Sequence, residues 1–237
     1  MEQDFQLEPW LMELNRKLLE AFAGRVLFIG HIGSWVRGEA GPESDIDVNV
    51  VMETLSGEDI QTYHQIIKGM PFREKACGCL VSKDELTAWP RHELFHFIKG
   101  CRVLYGSLDH LVDEPTPLEL IDYLKITASA MTHYTRHRMI YSPDLKAEVH
   151  DLKMAYKSSF FVFQVWAYLT DHQFLLTKKE MLEYLDDDLD IQILKSSLEW
   201  ERLTTDREDR PLDYFKNLSC WAGRMLLRAE DARKSIS

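Results

Sequence analysis

Apolar positions near the start of the chain recur at the spacing of a helix. Between residues 9 and 22 they fall on one helical face, and Gly24 follows where a left-handed cap would lie. The runs 25–32 and 45–52 are instead short and apolar, which is typical of buried strands. The face of the first helix consists of Leu11, Leu14, Leu18 and Phe22. The pattern therefore predicts a helix followed by two strands.

Strands and helices continue to alternate through the rest of the first half. Ser56 and Asp59 have the spacing of a capping box, which predicts the start of a second helix. Further strands are predicted over 76–81 and 102–105, on either side of a helix that begins at Pro90. This alternation indicates a domain that combines a sheet with flanking helices.

The pattern changes at the polar, proline-bearing segment 113–117, which is typical of a domain boundary. Beyond it, every apolar pattern has the period of a helix. We therefore predict an α+β chain with an N-terminal domain, residues 1–112, and a C-terminal helical bundle, residues 113–237. The helices of the bundle are expected over 118–141, 146–169, 178–185, 191–203 and 212–232.

The composition is that of a soluble globular protein, with 45% hydrophobic and 28% charged residues. The net charge of −11 argues against binding to nucleic acid, because that affinity depends on Lys and Arg neutralising phosphates. The longest apolar stretch, 160–169, is much shorter than the roughly 20 residues of a membrane span. Because the chain also begins with acidic residues instead of a secretory signal, we expect a cytoplasmic protein.

The four cysteines are few for this length. Cys77 and Cys79 lack the second pair that a structural zinc site requires. Free cysteines in proteins favour the interior, so we expect reduced, buried thiols.

Two local patterns point to phosphate chemistry. Gly33 and Ser34 follow the first predicted strand, where a short helical turn would let backbone amides approach a phosphate closely. Asp45 and Asp47 lie two residues apart on the next strand, so both project from one face. Hard divalent cations such as Mg²⁺ bind carboxylates of this kind while also contacting substrate phosphates. Together the patterns predict a metal and phosphate site.

The segments Gly33-Ser34-Trp35-Val36-Arg37-Gly38 and Ser44-Asp45-Ile46-Asp47 resemble the signature of the polymerase-beta-like nucleotidyltransferases. That signature is a Gly-Ser pair followed, one loop later, by an acid-apolar-acid strand. The resemblance implies a mixed sheet flanked by helices and transfer of AMP from ATP with Mg²⁺. It implies metal binding by Asp45 and Asp47, and nucleotide binding by Gly33, Ser34, Arg37 and Ser44.

The family usually supplies a third carboxylate from a later strand, as a metal ligand or as a general base. The predicted strand 76–81 contains no acidic residue. Glu74 lies just before it, whereas Asp84 and Glu85 lie just after it. Glu74 is our candidate catalytic residue, and Asp84, Glu85, a different base or slow turnover are the alternatives.

The second half resembles the helical domains of aminoglycoside nucleotidyltransferases, which are HEPN-like or kanamycin-enzyme-like. Residues 165–168 followed by 176–180 are similar to a tryptophan-then-lysine stretch of streptomycin and spectinomycin adenylyltransferases. This resemblance implies that Lys178 contacts the nucleotide phosphates. The alternative is that Lys178 is an ordinary lysine in the first turn of a solvated helix. The implied acceptor is a hydroxyl of a small molecule such as an aminoglycoside. A protein acceptor, as in toxin-antitoxin adenylyltransferases, and a nucleotide-binding protein with weak catalysis are the alternatives.

Other patterns in the chain favour structural roles. The acidic run 186–190 has the composition either to bind amines or to cap a helix in water, and we expect the second. His133 and His137 have metal-binding spacing but lack the glutamate of a zinc protease motif. An Arg-x4-His pattern like that of HEPN ribonucleases occurs only in the first half, so ribonuclease activity is not expected.

Overall fold

The computed structural model describes residues 5–236, and the chain divides into two compact units between Glu114 and Pro115. The first unit combines strands with helices, and in the described residues the second is entirely helical. The elements of the first unit are α1 (Leu7–Phe22), β1 (Val26–Ile32), β2 (Ile46–Met52), α2 (Gly57–Lys68), a 3₁₀ turn (Arg73–Lys75), β3 (Ala76–Cys77), β4 (Leu80–Ser82), α3 (Lys83–Thr87), α4 (Arg91–Gly100) and β5 (Arg102–Gly106).

The strands form a mixed sheet in the order β3-β2-β1-β5, and β4 also pairs with β2. Strand β1 is antiparallel to both β2 and β5, whereas β3 and β4 are parallel to β2. This architecture confirms the predicted α+β fold with a mixed sheet flanked by helices.

The single strand predicted over 76–81 is wrong, because the chain leaves the ladder at Gly78. Gly78 has φ +126°, and a Cβ there would lie 2.0 Å from the carbonyl oxygen of Val48. The amide of Cys79 then donates to the side chain of Asn49 at 3.0 Å. A glycine break therefore produces two short strands, β3 and β4, in place of one longer strand.

The two faces of the sheet are buried against different helices. One face includes Val48 and Val50 and packs with residues of α1 and α2. The opposite face includes Phe28 and Val51 and packs with residues of α3 and α4. Because side chains alternate along a strand, Asp47 lies on the face of Val51.

Helix caps account for several element boundaries. The predicted capping box of α2 is present, since Ser56 accepts from the Asp59 amide and Asp59 accepts from the Ser56 amide at 2.9 Å. Asp59 also binds Arg25 at 2.6 Å, and this guanidinium lowers the pKa of Asp59, aided by Ser56. Helix α3 was not predicted, although Ser82 and Glu85 have the same capping-box spacing.

The second unit is a helical bundle, as predicted. The longest helices, α5 and α11, pack along each other, and α7 packs against α5 and α9. None of the helices described in residues 5–236 is long and apolar enough to cross a membrane. The elements are α5 (Pro117–Tyr141), α6 (Leu145–Glu148), a 3₁₀ turn (Val149–Leu152), α7 (Lys153–Asp171), α8 (Lys178–Tyr184), α9 (Asp188–Leu198), α10 (Thr204–Asp209) and α11 (Pro211–Ile236).

The acidic run caps a helix instead of forming an open acidic patch. Asp187 is the N-cap of α9, where its carboxylate accepts from the amides of Leu189 and Asp190. Asp190 is buried and accepts from Arg228 of α11 at 2.7 Å. These contacts agree with the structural role expected for the run.

The cysteines are free, but the expectation that they are buried is wrong. Cys77 and Cys220 are exposed, and Cys79 and Cys101 are partly exposed. Cys77 is accessible because β3 forms an end of the strand order.

His31 of β1 is a buried polar side chain in the core of the first unit. It is 1% exposed, and neither ring nitrogen has a hydrogen-bond partner within the part of the chain that the structure describes. Burial lowers its pKa to about 4, with a further contribution from the charge of Arg102, while Glu8 acts in the opposite direction. His31 is therefore neutral in the folded protein at physiological pH.

We expect His31 to make the fold acid-sensitive. In the unfolded chain the His31 side chain binds a proton near pH 6.5, but in the folded protein it does so only near pH 4. The free energy of unfolding therefore falls as the pH decreases from 6.5 to 4. The full loss is about 3 kcal/mol by the usual conversion of pKa shifts. Denaturant unfolding between pH 7 and pH 4 would measure it, and His31→Phe should flatten the profile.

The exposed His64 provides the matched control for this measurement. His64→Gln should leave the slope of stability against pH unchanged. Some slope should persist in His31→Phe, because burial also lowers the pKa of His96 to about 4. Equal slopes for His31→Phe and the unmodified protein would contradict the assignment.

Candidate functional site

The site begins with a close approach between a glycine and a carboxylate. Gly33 follows β1 with φ +87°, and a Cβ at this position would lie 2.2 Å from Oδ2 of Asp47. Asp47 is opposite Ile32 in the antiparallel ladder of β1 and β2. The strand pairing therefore brings the Gly33 turn against the Asp47 side chain, and a Cβ at position 33 would force that carboxylate to move.

Asp45 lies immediately before β2 and is exposed, whereas Asp47 is half-buried. Both carboxylates lie near the thiol of Cys77. Desolvation raises the pKa of Cys77, and the charge of Asp47, a hydrogen bond with Asp47 and the charge of Asp45 add to the effect. The structure thus places Asp45, Asp47 and Cys77 in one neighbourhood.

Residues 34–38 form hydrogen-bonded turns and not a regular helix. The amide of Gly38 donates to the carbonyl of Trp35 at 3.2 Å, and the amide of Glu39 donates to the carbonyl of Ser34 at 2.9 Å. Gly38 also has a positive φ of 67°. Any backbone contact to phosphate at Gly33 and Ser34 would therefore come from turn amides, without the dipole of a long helix.

Arg37 and Ser44 both have partners inside the protein. Nε of Arg37 lies 2.9 Å from Oε2 of Glu39, and the two side chains are only 12% and 19% exposed. The Ser44 hydroxyl accepts from the amide of Gly41 at 2.9 Å, which closes the loop leading to Asp45. Glu39 thus compensates the charge of Arg37, and Ser44 fixes the approach to β2.

The position next to Asp47 on the neighbouring strand is occupied by Cys77. In the parallel pairing of β2 and β3, Asp47 lies opposite Cys77. Glu74 lies earlier, in the exposed part of the 3₁₀ turn before β3. Cys77 was not predicted as a site residue, because the register of β3 against β2 is not visible in the strand's own composition.

The acidic residues after β4 belong to helix α3. Glu85 completes the capping box of α3, where backbone and side-chain hydrogen bonds from Ser82 lower its pKa. Glu85 is therefore engaged in holding the start of a helix. Asp84, in the same first turn, is exposed.

Lys178 lies in the second unit, in the first turn of α8 after the N-cap Thr177. Its ammonium lies 6.0 Å from the centre of the Phe160 ring, at the distance of a cation–π contact. His133 and His137 are neighbours on α5 with ring centres 6.2 Å apart.

The donor set suits a magnesium ion that is shared with a phosphate. Within residues 5–236, no group of three His, Cys, Asp or Glu side chains is arranged to hold a metal. Mg²⁺, however, commonly uses only one or two protein carboxylates, and substrate phosphates and water complete its shell. Asp45 and Asp47 supply two hard oxygen donors of this type, beside a turn where Gly33 leaves space. The sulfur of Cys77 is a soft donor, which makes it unsuitable as a magnesium ligand.

We expect Gly33→Ala to separate the carboxylate from the turn. The flexible end of Asp47 can move away from the new methyl group, so stability should fall by only about 1–2 kcal/mol, the cost of a left-handed alanine. Binding of Mn²⁺ in place of Mg²⁺, followed by electron paramagnetic resonance, should be lost. Gly24→Ala is the matched control, because Gly24 has φ +81° but nothing within 4 Å of a Cβ. Equal Mn²⁺ binding by the two variants would contradict the expectation.

The family model for nucleotidyltransferase domains matches residues 11–86, which include Gly33, Asp45, Asp47 and Cys77. No curated protein is similar enough in sequence to count as a match.

Among solved structures, the chain is similar in fold to spectinomycin adenyltransferase AAD(9) from Enterococcus faecialis, determined with ATP and spectinomycin. The TM-score is 0.52 at 12% identity, and the match covers 90% of this chain and 99% of that one. At this identity the likeness shows the fold, whereas the match to the nucleotidyltransferase model is confined to residues 11–86. Residues 11–86 of the first unit therefore match a nucleotidyltransferase domain, and the fold of the chain is similar to that of an adenyltransferase.

Proposed function

We propose that this protein transfers AMP from ATP, with Mg²⁺, to a hydroxyl group of a small molecule such as an aminoglycoside. The observation that carries the proposal is the contact of the Gly33 turn with Asp47, beside Asp45, inside a matched nucleotidyltransferase domain. Phosphate oxygens and carboxylates meet at one place only when a cation offsets their repulsion. The arrangement therefore supports a nucleotide and a divalent cation as joint ligands.

In the proposed reaction, Gly33 and Ser34 bind the triphosphate and Asp45 and Asp47 bind the metal. The acceptor oxygen attacks the α-phosphorus, the bond from this phosphorus to the bridging oxygen of the β-phosphate breaks, and pyrophosphate leaves. When bound, Mg²⁺ would neutralise the charge that develops on the phosphate oxygens. The acceptor proton passes to a base or to water, and Glu74 remains the candidate for that base.

The small-molecule acceptor is supported by the fold and by charge. The similar adenyltransferase was determined with spectinomycin, which makes an aminoglycoside-type acceptor the first to test. The net charge of −11 favours cationic acceptors over nucleic acid. A protein acceptor remains the alternative within the same chemistry.

A second candidate function is nucleotide binding with little turnover. The observation that favours it is the thiol of Cys77 opposite Asp47, at a position that supplies no carboxylate. Loss of a general base costs roughly 10²- to 10⁴-fold in rate. A protein of this kind would bind ATP with Mg²⁺ but release pyrophosphate very slowly.

The test is incubation of the purified protein with α-labelled ATP and Mg²⁺ in the presence of an aminoglycoside panel or a cell lysate. Label on an aminoglycoside supports the proposal, and label on a protein supports the alternative acceptor. Magnesium-dependent ATP binding without pyrophosphate release from any mixture would favour the second candidate. Absence of ATP binding altogether would exclude both.

We expect Asp47→Asn and Asp45→Asn to lower kcat by roughly 10²-fold or more, because a catalytic metal contributes several kcal/mol to transition-state stabilisation. Pyrophosphate release at saturating ATP is the measurement. Glu53→Gln is the matched control, since Glu53 is an exposed acid at the opposite end of β2. A similar loss in all three variants would indicate an effect of net charge and would contradict the assignment.

We expect Lys178→Ala to raise the KM for ATP by about tenfold, the equivalent of one charge-assisted hydrogen bond. The reason is the phosphate contact that the family resemblance implies for this lysine. Lys179→Ala is the control, because Lys179 is exposed and lies 4.0 Å from Glu183 on the same helix. Equal KM values for the two variants would indicate that Lys178 has only a structural role, in contact with the Phe160 ring.

A further inference from the structure

We infer that Cys77 is a positioning residue for Asp47, which it orients from the neighbouring strand while leaving the net charge of the site unchanged. The inference rests on the proposed function, because Asp47 is one of the two proposed metal-binding carboxylates. It assigns a role to a cysteine side chain, which is not a carboxylate, within the residues that match the nucleotidyltransferase model.

The strand register directs Cys77 to the same face as Asp47. In the parallel pairing, Ile46 lies opposite Ala76 and Asp47 lies opposite Cys77. Ile46 and Ala76 both belong to the core cluster that includes residues of α1 and α2. Because side chains alternate along each strand, Asp47 and Cys77 project together from the other face.

Asp47 is consequently flanked from both sides. Strand β2 lies between β1 and β3 in the sheet. On the β1 side, Gly33 leaves room for Oδ2 of Asp47. On the β3 side, Cys77 lies directly opposite Asp47 and on the same face of the sheet. A thiol is a weak donor, so it can orient the carboxylate and leave its charge available to a cation.

The backbone around Cys77 is tightly constrained. The next residue, Gly78, has φ +126° and approaches the backbone of Val48 so closely that a Cβ would lie 2.0 Å from its carbonyl oxygen. The amide of Cys79 is then held by the side chain of Asn49. Val48 and Asn49 directly follow Asp47, so the segment that carries Cys77 is fixed to the segment that carries the carboxylate.

The thiol is also accessible, which makes it a reporter for the site. Cys77 is exposed, and so is Cys220 on α11 in the second unit. Cys79 and Cys101 are only partly exposed. A small alkylating reagent should therefore react with Cys77 and Cys220, and Cys220 provides an internal reference in the same molecule.

The first experiment follows alkylation of the unmodified protein by iodoacetamide, with the modified cysteines identified by mass spectrometry. ATP with Mg²⁺ should slow modification of Cys77 by about tenfold or more, since bound phosphates and cation would cover the thiol, and should leave Cys220 unchanged. Equal rates at Cys77 with and without the nucleotide, under conditions where ATP is bound, would overturn the inference. Equal protection of both cysteines would overturn it as well.

The second experiment compares Cys77→Ala, Cys77→Ser and the control Cys220→Ala. The measurement is the Mg²⁺ concentration that gives half-maximal ATP binding by calorimetry, and it does not depend on turnover. Loss of an outer partner of a metal ligand typically weakens metal affinity by about tenfold or more, so Cys77→Ala should need correspondingly more Mg²⁺. Cys77→Ser keeps a hydroxyl donor and should restore the original requirement.

The outcomes separate this inference from the proposed function. If the unmodified protein binds ATP with Mg²⁺ but Cys77→Ala has the same Mg²⁺ requirement, only the role of Cys77 is excluded. If Cys220→Ala changes the requirement as much as Cys77→Ala, the effect is not specific to the site and the inference is also excluded. If the unmodified protein does not bind ATP at any Mg²⁺ concentration, the proposed function fails and the inference fails with it.

Discussion

The contact between Gly33 and Asp47 is the constraint on which the site depends. A carboxylate oxygen occupies the space where any other residue would place its Cβ, and the positive φ of Gly33 turns the chain away from β1 at that point. The antiparallel ladder of β1 and β2 sets the distance, because Ile32 lies directly opposite Asp47. The turn that would receive phosphates and the acid that would bind a cation are thus fixed by the same strand pairing.

Successive side chains of β2 lie on opposite faces of the sheet, so apolar core residues alternate with Asp47 along the strand. Val48 and Val50 belong to a core cluster with α1 and α2, whereas Asp47 projects to the other face with Cys77. Burial of the apolar residues holds the strand in register, and a slip by one residue would turn Asp47 toward the core cluster of α1 and α2. The Gly78 break adds a second constraint, since it fixes the edge strand against the backbone that follows Asp47.

The charges around the site are mostly paired or shielded. Arg37 is compensated by Glu39, and Glu85 is bound within the first turn of α3. The two acids beside the Gly33 turn lie next to a thiol whose pKa is raised, so this neighbourhood has net negative charge. Two carboxylates beside a neutral donor suit a magnesium ion that is shared with phosphates.

Local sequence determined the parts of this protein that depend on nearby residues. The helical periods, the capping box of Ser56 and Asp59 and the spacing of Gly33 from Asp47 were all visible along the chain, since each is set within a few turns or one strand. The tertiary structure alone decided that Cys77, and not Glu74, lies opposite Asp47, and that Gly78 divides the predicted strand. Both results depend on the register between β2 and β3, and that register is set by long-range packing that neither segment encodes by itself.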